Sequence, residues 1–439
     1  MAIGSTDIAR GITAFALWAG VAVAGDLPAP DAVFPKVEMP QIELGRLLFY
    51  DPILSGGKTV SCATCHHPRH ATGDGVSLGL GDGAAGLGPE RKVDVTNTPE
   101  DRIPRNAPAL FNVGAVEYRS FFHDGRLEVD ETRAGGIRTP LGLEMEQGFA
   151  SLLSAQTMFP VLSGDEMAGH LGESDVSKAV RQGLLTGPGG AWDILAQRVA
   201  GIPEYRAMFD DVIGQKPVYF HDISDAIAAF VAFEWRATDS DFDKSLRGEA
   251  ELTRAQAHGR DLFYGKAGCA NCHSGLFQTD HDFHAIAMPQ IGPGKRAAFE
   301  SGAADEGRMR VTGNPADAFK FRTPSLRNVV HTLPYGHAGV YAQLEDVIRH
   351  HLNPEKHLVD YDPAQAILPD LAGTVDTTVM DDPTEVARIA AANELTPSAL
   401  THGQVAAIIA FLGALTDTAS LDGQLGVPAT VPSGLPVDQ

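Results

Sequence analysis

Cysteine, positive charge and long apolar runs are all scarce in this 439-residue chain. Only 34 lysines and arginines stand against 56 aspartates and glutamates, a formal net charge of −22. That deficit excludes the basic surface with which a protein neutralises nucleic-acid phosphates, and it favours a basic or neutral partner; much of it simply keeps the protein in solution. One apolar run, Gly11 to Ala24, is short for a bilayer span and closes on Ala22-Val23-Ala24 before Gly25-Asp26. That is the form of a cleaved export signal, so residues 1–24 are expected to be removed. Arg10 is offset by Asp7, which keeps an uncleaved anchor as the rival reading. No other long apolar run follows, so no stable membrane span is expected after cleavage. Of three tryptophans, Trp18 falls in this leader. The rest of the chain, with 44% apolar and 21% charged residues, has the composition of a globular protein long enough for two or more cores.

All four cysteines fall in two copies of one motif, Cys62-Ala63-Thr64-Cys65-His66 and Cys269-Ala270-Asn271-Cys272-His273. Two thiols three positions apart suit thioether capture of the two vinyl groups of a haem, and the adjacent imidazole then reaches the iron from one face. A zinc knuckle would need four ligands from paired Cys motifs and gives no reason for a His after each. Disulfides would leave both histidines unexplained. Two covalently bound haems c are therefore expected. In bacteria such haems are attached outside the cytoplasm, which agrees with the export signal and predicts a periplasmic protein.

Periodicity outlines the elements. A Pro-rich, extended stretch from about Asp26 to Pro40 precedes Gln41 to Tyr50, which carries Ile42, Leu44, Leu47, Leu48 and Phe49 at helical spacing and stops at Asp51-Pro52. Thr72 to Pro89, dense in Gly and Asp, reads as a loop. Asp222 to Trp235 reads as a helix, and the polar stretch Asp239 to Glu249 as an interdomain linker. Thr253 is placed to cap a helix running to Phe263. Gly275 to Ala318 is broken by Pro289, Pro293 and Pro315. Thr401-His402-Gly403-Gln404 has the form of a capping box and leads Val405, Ile408, Ile409, Leu412 and Leu415 into an amphipathic helix. Strand signals are few, so the fold class expected is mainly α.

The chain also repeats itself. Gly45-Arg46-Leu47-Leu48-Phe49-Tyr50 precedes the first haem motif, as Gly259-Arg260-Asp261-Leu262-Phe263-Tyr264 precedes the second. Pro108-Ala109-Leu110-Phe111-Asn112-Val113 answers Pro324-Ser325-Leu326-Arg327-Asn328-Val329, and His123-Asp124-Gly125 answers His337-Ala338-Gly339. The shared order predicts two cytochrome c-like haem domains in tandem with long irregular loops, residues 25–245 and 246–439.

On these residues the chain resembles the bacterial dihaem cytochrome c peroxidases and their relative MauG, the maturation enzyme of methylamine dehydrogenase. The strongest matches are Arg105-Asn106-Ala107-Pro108, Phe122-His123-Asp124-Gly125-Arg126, Phe321 to Asn328 and Thr332-Leu333-Pro334-Tyr335-Gly336-His337. The likeness runs from about Glu43 to Asp417, with insertions around 76–104, 150–200 and 353–395. It implies that the N-terminal haem reacts and the C-terminal haem carries electrons.

The resemblance also implies residue roles. The family's catalytic carboxylate lies in a Pro-x-Glu-Met segment, which Pro140 to Met145 matches with one extra residue, so Glu144 is expected over the open iron to move a proton between peroxide oxygens. Glu146 and Glu131 are its possible substitutes, and a solvated surface Glu is the plain alternative. The second haem's distal ligand lies fourteen residues past His337, at His351, where the peroxidases have Met and MauG has Tyr. Leu344 to His351 has helical character, so His350 points about 100° away and is expected at the surface; Met288 and Met309 are the competing ligands. His123 stands where the family usually has an oxidisable Trp between the haems. It either weakens that relay or hydrogen-bonds a haem propionate. The second relay Trp of MauG corresponds to Ala267, with Tyr264 the nearest aromatic. The displaceable distal His of many relatives falls near Asp82, and His67 and His70 follow His66 too closely to replace it, so the first haem is expected open. A Ca²⁺ is implied at Asn106, Thr332 and Pro334, with His337 hydrogen-bonding nearby. The activity implied is hydrogen peroxide reduction with electrons from a small cytochrome c or cupredoxin. The rivals are MauG-like oxidation of a partner protein's residue through a high-valent haem, and a non-enzymatic dihaem electron carrier.

Overall fold

The computed structural model describes Met1 and residues 27–29, 31–133, 135–170, 172–295 and 302–439. The expected export signal, past Met1, and Trp18 with it, lies outside the described residues. Five helices frame the fold: α1 (Met39–Tyr50), α2 (Phe220–Glu234), α3 (Arg254–Phe263), α4 (Leu344–Leu352) and α5 (His402–Gly413). α1 crosses α2, α3 crosses α5, and α4 lies against α5. Both crossings turn on the glycine of the repeated Gly-Arg-x-Leu-Phe-Tyr segment. A Cβ on Gly45 would lie 1.8 Å from the Ala226 carbonyl oxygen, and one on Gly259 would lie 1.9 Å from that of Ala407. Only the residue without a side chain lets the two backbones approach so closely.

The repeated Pro-Leu-Asn segment does one job twice. Asn112 and Asn328 both adopt the left-handed backbone (φ +61° and +57°) that Asn tolerates. Asn112 donates from its backbone N–H to the Trp235 carbonyl, and its side chain bonds the N–H and C=O of Ala237 at 2.8 and 3.0 Å. Asn328 donates to the Leu415 carbonyl, accepts from Asp417 N–H at 2.8 Å and donates to Ser420 Oγ. Each asparagine therefore pins the chain just after the second helix of its crossed pair.

The local signals act as their chemistry requires. Thr253 with Gln256, and Thr401 with Gln404, form the reciprocal caps that open α3 and α5. Strand is confined to short antiparallel pairings. Ser120–Phe121, Leu127–Val129 and Ile137–Arg138 form a three-stranded sheet in sequence order, and Phe283–His284 pairs with Phe321–Arg322 in the register Phe283 to Arg322.

The expected linker at Asp239 to Glu249 is instead structural. It holds the helix Asp241–Leu246, with Phe242 fully buried against Phe411 in the second core and Asp243 bonded at 2.7 Å to the buried Arg327. Its polar residues cap this helix and pair inward, a use that composition does not reveal. The C-terminal stretch crosses back to the first half: Val431 sits in the first core, Glu234 receives the N–H groups of Leu425 and Gly426, and Asp438 accepts from Thr64 inside the first haem motif.

Gly259→Ala is expected to destabilise the protein by about 1–3 kcal/mol through overpacking. Gly413→Ala, whose Cβ meets open space, should be neutral or slightly stabilising. Urea denaturation of both variants checks this, and equal midpoints would show that the crossing tolerates a methyl group.

Candidate functional site: two paired histidine centres

Both Cys-x-x-Cys-His motifs form single helical turns, Cys62–Cys65 and Cys269–Asn271. The first is closed by Thr64 Oγ1, which accepts from the Ser61 N–H at 3.0 Å. After each turn the histidine is oriented by the same device. His66 Nδ1–H donates to the Thr72 carbonyl at 3.0 Å, and His273 Nδ1–H to the Gln278 carbonyl at 3.0 Å. A carbonyl can only accept, so the proton sits on Nδ1 and Nε2 keeps its lone pair for a metal. Burial pushes His273 down to about 4 and lowers His66, which keeps both rings neutral.

On α4, His351 repeats the arrangement with Nδ1–H donating to the Val347 carbonyl at 2.7 Å. Its ring faces that of His273, with centroids 6.4 Å apart. Metal–imidazole bonds of about 2 Å on opposite faces of one ion put ring centres roughly 6 Å apart, so the spacing fits an iron between them. His350, expected at the surface, is fully buried. Its Nδ1 bonds the Tyr341 hydroxyl at 3.0 Å and its Nε2 the Ile286 carbonyl at 2.8 Å, which leaves no nitrogen for a metal. Tyr341 and the Ile286 strand end cover that face of α4, a tertiary contact that helical phase does not encode. Met288 packs elsewhere, with Leu78, Ile291 and Val340.

Several residues lie deep in the molecule yet retain accessible surface, which marks the walls of an internal space. Around the first motif these are Cys65, His66, Arg126, Glu166 and Lys295. Around the second they are His273, Arg322 and His351. Arg322 Nε and Nη1 and the hydroxyls of Tyr50, Tyr118 and Tyr264 are buried without partners. A guanidinium so stranded is costly, and a haem propionate would satisfy it. The donor set, the spacing of His273 and His351 and these orphaned atoms fit two haems.

Residues 39–251 match the family model of the di-haem cytochrome c peroxidases. The chain is 30% identical over 393 residues to the methylamine utilization protein MauG of Paracoccus denitrificans, covering 85% of this chain and 88% of that protein. It is 31% identical over 353 residues to the cytochrome c peroxidase Ccp of Escherichia coli, covering 78% of this chain and 60% of the other. The crystal structure of a MauG-like protein associated with microbial copper homeostasis aligns with a TM-score of 0.60 at 25% identity, over 90% of this chain and 96% of that one. The chain belongs to the dihaem cytochrome c peroxidase and MauG family. It is a haem-dependent oxidoreductase with two haem cofactors.

Within this dihaem frame, the carboxylates that spacing pointed to lie as follows. Glu144 ends the single turn Gly142–Glu144 on the surface. Glu146 is bound to His221 at 2.9 Å, and Glu131 is exposed beside Arg119. Glu166, which sequence spacing did not single out, is a further carboxylate that is half-buried on the turn Gly164–Ala168. Burial raises its pKa, and Lys295 and Arg126 partly offset that rise. The turn that carries it, Gly164–Ala168, is held by two backbone bonds: Gly56 N–H to Met167 O at 2.7 Å, and Asp82 N–H to Glu166 O at 3.0 Å. One signal was available, because the pair Glu-Met occurs at Glu166-Met167, as it does at Glu38-Met39 and Glu144-Met145. The Glu166 copy follows Pro160 at a longer interval, within the stretch read as an insertion.

Between the two centres lies a buried charge cluster. Arg105 bonds Asp305 at 2.7 and 2.9 Å and Asp124 at 2.7 Å, and Arg126 reaches Asp124 at 3.0 Å. His123 donates from Nε2 to the Asn106 carbonyl at 3.0 Å and is pushed down to about 4 by burial and by Arg105. His337 stacks on Phe321 at 3.7 Å, and its Nε2 has no partner. Asn106 donates its N–H to the His337 carbonyl at 2.8 Å and its Nδ2 to the Val76 carbonyl at 2.7 Å.

Burial would raise the Asp124 and Asp305 carboxyls, but Arg105 outweighs it and holds both below the usual carboxylate range. Their stabilising contribution is present above an unfolded pKa of about 3.9 and is lost as pH falls through the folded values. Arg105→Gln should therefore cost about 3–5 kcal/mol at neutral pH by stranding two buried anions. The deficit should shrink at lower pH as they take up protons. Denaturation midpoints of both proteins across pH measure this; a pH-independent deficit would contradict it.

Proposed function

We propose that the chain reduces hydrogen peroxide to water, with peroxide bound at the Cys62–His66 centre and electrons entering at the Cys269–His273 centre. The observation that carries this reading is the pairing at the second centre: His351 faces His273 across a metal-sized gap, which suits a closed electron-transfer site and leaves the Cys62–His66 centre for peroxide. Haem, when bound, supplies the iron on which peroxide is cleaved and through which electrons pass. Cys62 and Cys65, and Cys269 and Cys272, would hold the haems covalently, and His66, His273 and His351 would supply nitrogen ligands to iron.

In this reading Glu166 takes a proton from the peroxide oxygen nearer the iron and delivers it to the farther one, which then leaves as water. Lys295 and Arg126 keep Glu166 ionised often enough to act as that base, against the burial that favours its neutral form. Two electrons and two protons complete the reduction of one peroxide to two waters. The electrons come from a small cytochrome c or cupredoxin. His123 and Ala267, where an oxidisable indole would serve long-range hole transfer, argue against oxidation of a partner protein as the main reaction. The likeness to MauG supports that second reading, in which the same site oxidises a residue of a protein substrate.

Further assignments belong to the same proposal. The chain divides into haem domains at 25–245 and 246–439, with the C-terminal stretch clasping the first. Asn106, through Oδ1, and the carbonyls of Thr332 and Pro334 hold a Ca²⁺ between the haems, with His337 nearby. The enzyme works in the periplasm after loss of residues 1–24. Among the described residues no helix is long and apolar enough to cross a membrane.

Electron paramagnetic resonance of the oxidised enzyme should show one high-spin and one low-spin ferric haem, and His351→Ala should convert the low-spin signal. Glu166→Gln is expected to slow peroxide turnover with a reduced cytochrome donor by roughly 10²- to 10⁴-fold, leaving the low-spin signal intact. Glu144→Gln should turn over normally. The reverse pattern in the two glutamate variants would return the proton-transfer role to Glu144.

A further inference from the structure

Behind the turn that carries Glu166, three side chains from two segments converge: Asp82 from one, and His170 and Glu173 from the other. One potential ligand atom of each lies within 4.8 Å of the other two. We propose that they bind a divalent transition-metal ion of the zinc type, distinct from both haem sites.

Charge is the first argument. Asp82 is 1% exposed, and its two oxygens receive only neutral donors, Thr59 Oγ1 at 2.8 Å and Asn97 Nδ2 at 3.2 Å. Glu173 receives only the His170 backbone N–H at 2.8 Å. Among the described residues no lysine or arginine forms an ion pair with either carboxylate; the buried Arg91 attracts Asp82 but gives its N–H groups to the carbonyls of Leu80, Gly81 and Gly86. A buried carboxylate bonded only to neutral donors favours a cation beside it.

The second argument is an orphaned donor atom. The His170 side chain is 11% exposed. Its Nδ1 lies 3.8 Å from a Glu100 oxygen, whereas its Nε2 is sealed from solvent and has no partner. The third is space. Gly169 adopts φ +80°, and a Cβ there would come within 2.6 Å of Glu173 Oε2 and 3.0 Å of Asp82 Oδ2. The missing side chain leaves open the spot on which both carboxylate oxygens close. Donors about 2 Å from one ion stand up to roughly 4 Å apart, which this cluster reaches with small side-chain adjustments.

One imidazole nitrogen with two carboxylate oxygens selects a borderline transition ion over Ca²⁺ or Mg²⁺, which prefer oxygen alone. The ion would join three segments. Thr59, which holds Asp82, stands three residues before Cys62; Asp82 N–H holds the Glu166 carbonyl; His170 and Glu173 follow that turn. The metal thus braces the wall of the first haem site without touching it.

The test uses the full-length, haem-loaded protein, stripped of loosely held metal with a chelator and titrated with Zn²⁺. Elemental analysis should find one zinc per chain beside the haem iron, and the thermal midpoint should rise with Zn²⁺. His170→Ala and Asp82→Asn should abolish both effects. Glu173→Gln, at an exposed position that leaves the fold intact, should weaken binding at least tenfold, and Glu144→Gln should not change it. Zinc bound equally well by Glu173→Gln and His170→Ala, no zinc bound by the wild type, or displacement of Zn²⁺ by equimolar Ca²⁺ would each overturn the proposal. None of these readouts depends on peroxide turnover, so failure here and failure of the peroxidase reading are separable.

Discussion

A ring nitrogen given to a backbone carbonyl is the constraint on which this molecule's chemistry rests. His66, His273 and His351 each donate Nδ1–H to a main-chain oxygen, at 3.0, 3.0 and 2.7 Å. That bond fixes the tautomer, holds the ring plane and leaves Nε2 as a lone pair facing an interior space. His350 shows the converse. One residue away on the same helix and more deeply buried, it spends both nitrogens on protein partners and has nothing left for a metal.

The two halves use one scaffold for two ends. In each, a glycine lets two helices cross at backbone contact, an asparagine in the left-handed conformation pins the chain past the crossing, and a helical turn presents two thiols and a histidine. What differs is the face opposite the histidine. In the second half α4 swings His351 onto it. In the first, the turn Gly164–Ala168 brings a carboxylate flanked by Lys295 and Arg126. An imidazole pair thus marks the second site, and in the first half the carboxylate Glu166 stands on a turn where the second half has α4.

Arg105 joins the halves. Its guanidinium bonds Asp124 of the first half and Asp305 of the second, and each carboxylate also accepts a backbone N–H, from Arg126 and Gly307. Such a cluster contributes little net stability compared with apolar packing, but it penalises any shift of one half against the other. Rigid spacing suits electron transfer between two centres. His123 and the His337–Phe321 stack lie beside this cluster, where the family's usual indole is missing.

Most of the architecture could be read from the residues alone, because it rests on local chemistry. The haem motifs, the reciprocal caps at Thr253 and Thr401, the helical phases of α1, α2 and α5 and the internal repeat are all short-range patterns, and the helical character of Leu344 to His351 was among them. Three matters needed the tertiary structure. Asp239 to Glu249 is polar and looked like a linker, but Asp243 pairs inward with Arg327, a residue distant in sequence. His350 is covered by Tyr341 and Ile286, which a single helix's phase cannot report. The Glu-Met pair occurs three times, at Glu38, Glu144 and Glu166, and spacing favoured Glu144; in the fold Glu144 lies on the surface, whereas Glu166 is drawn inward because the long segment between α1 and α2 doubles back, with Gly56 and Asp82 bonded to its turn. Ligand identity is written in neighbouring residues; which carboxylate reaches the site depends on loop paths that close across more than a hundred positions, and no local pattern carries that information.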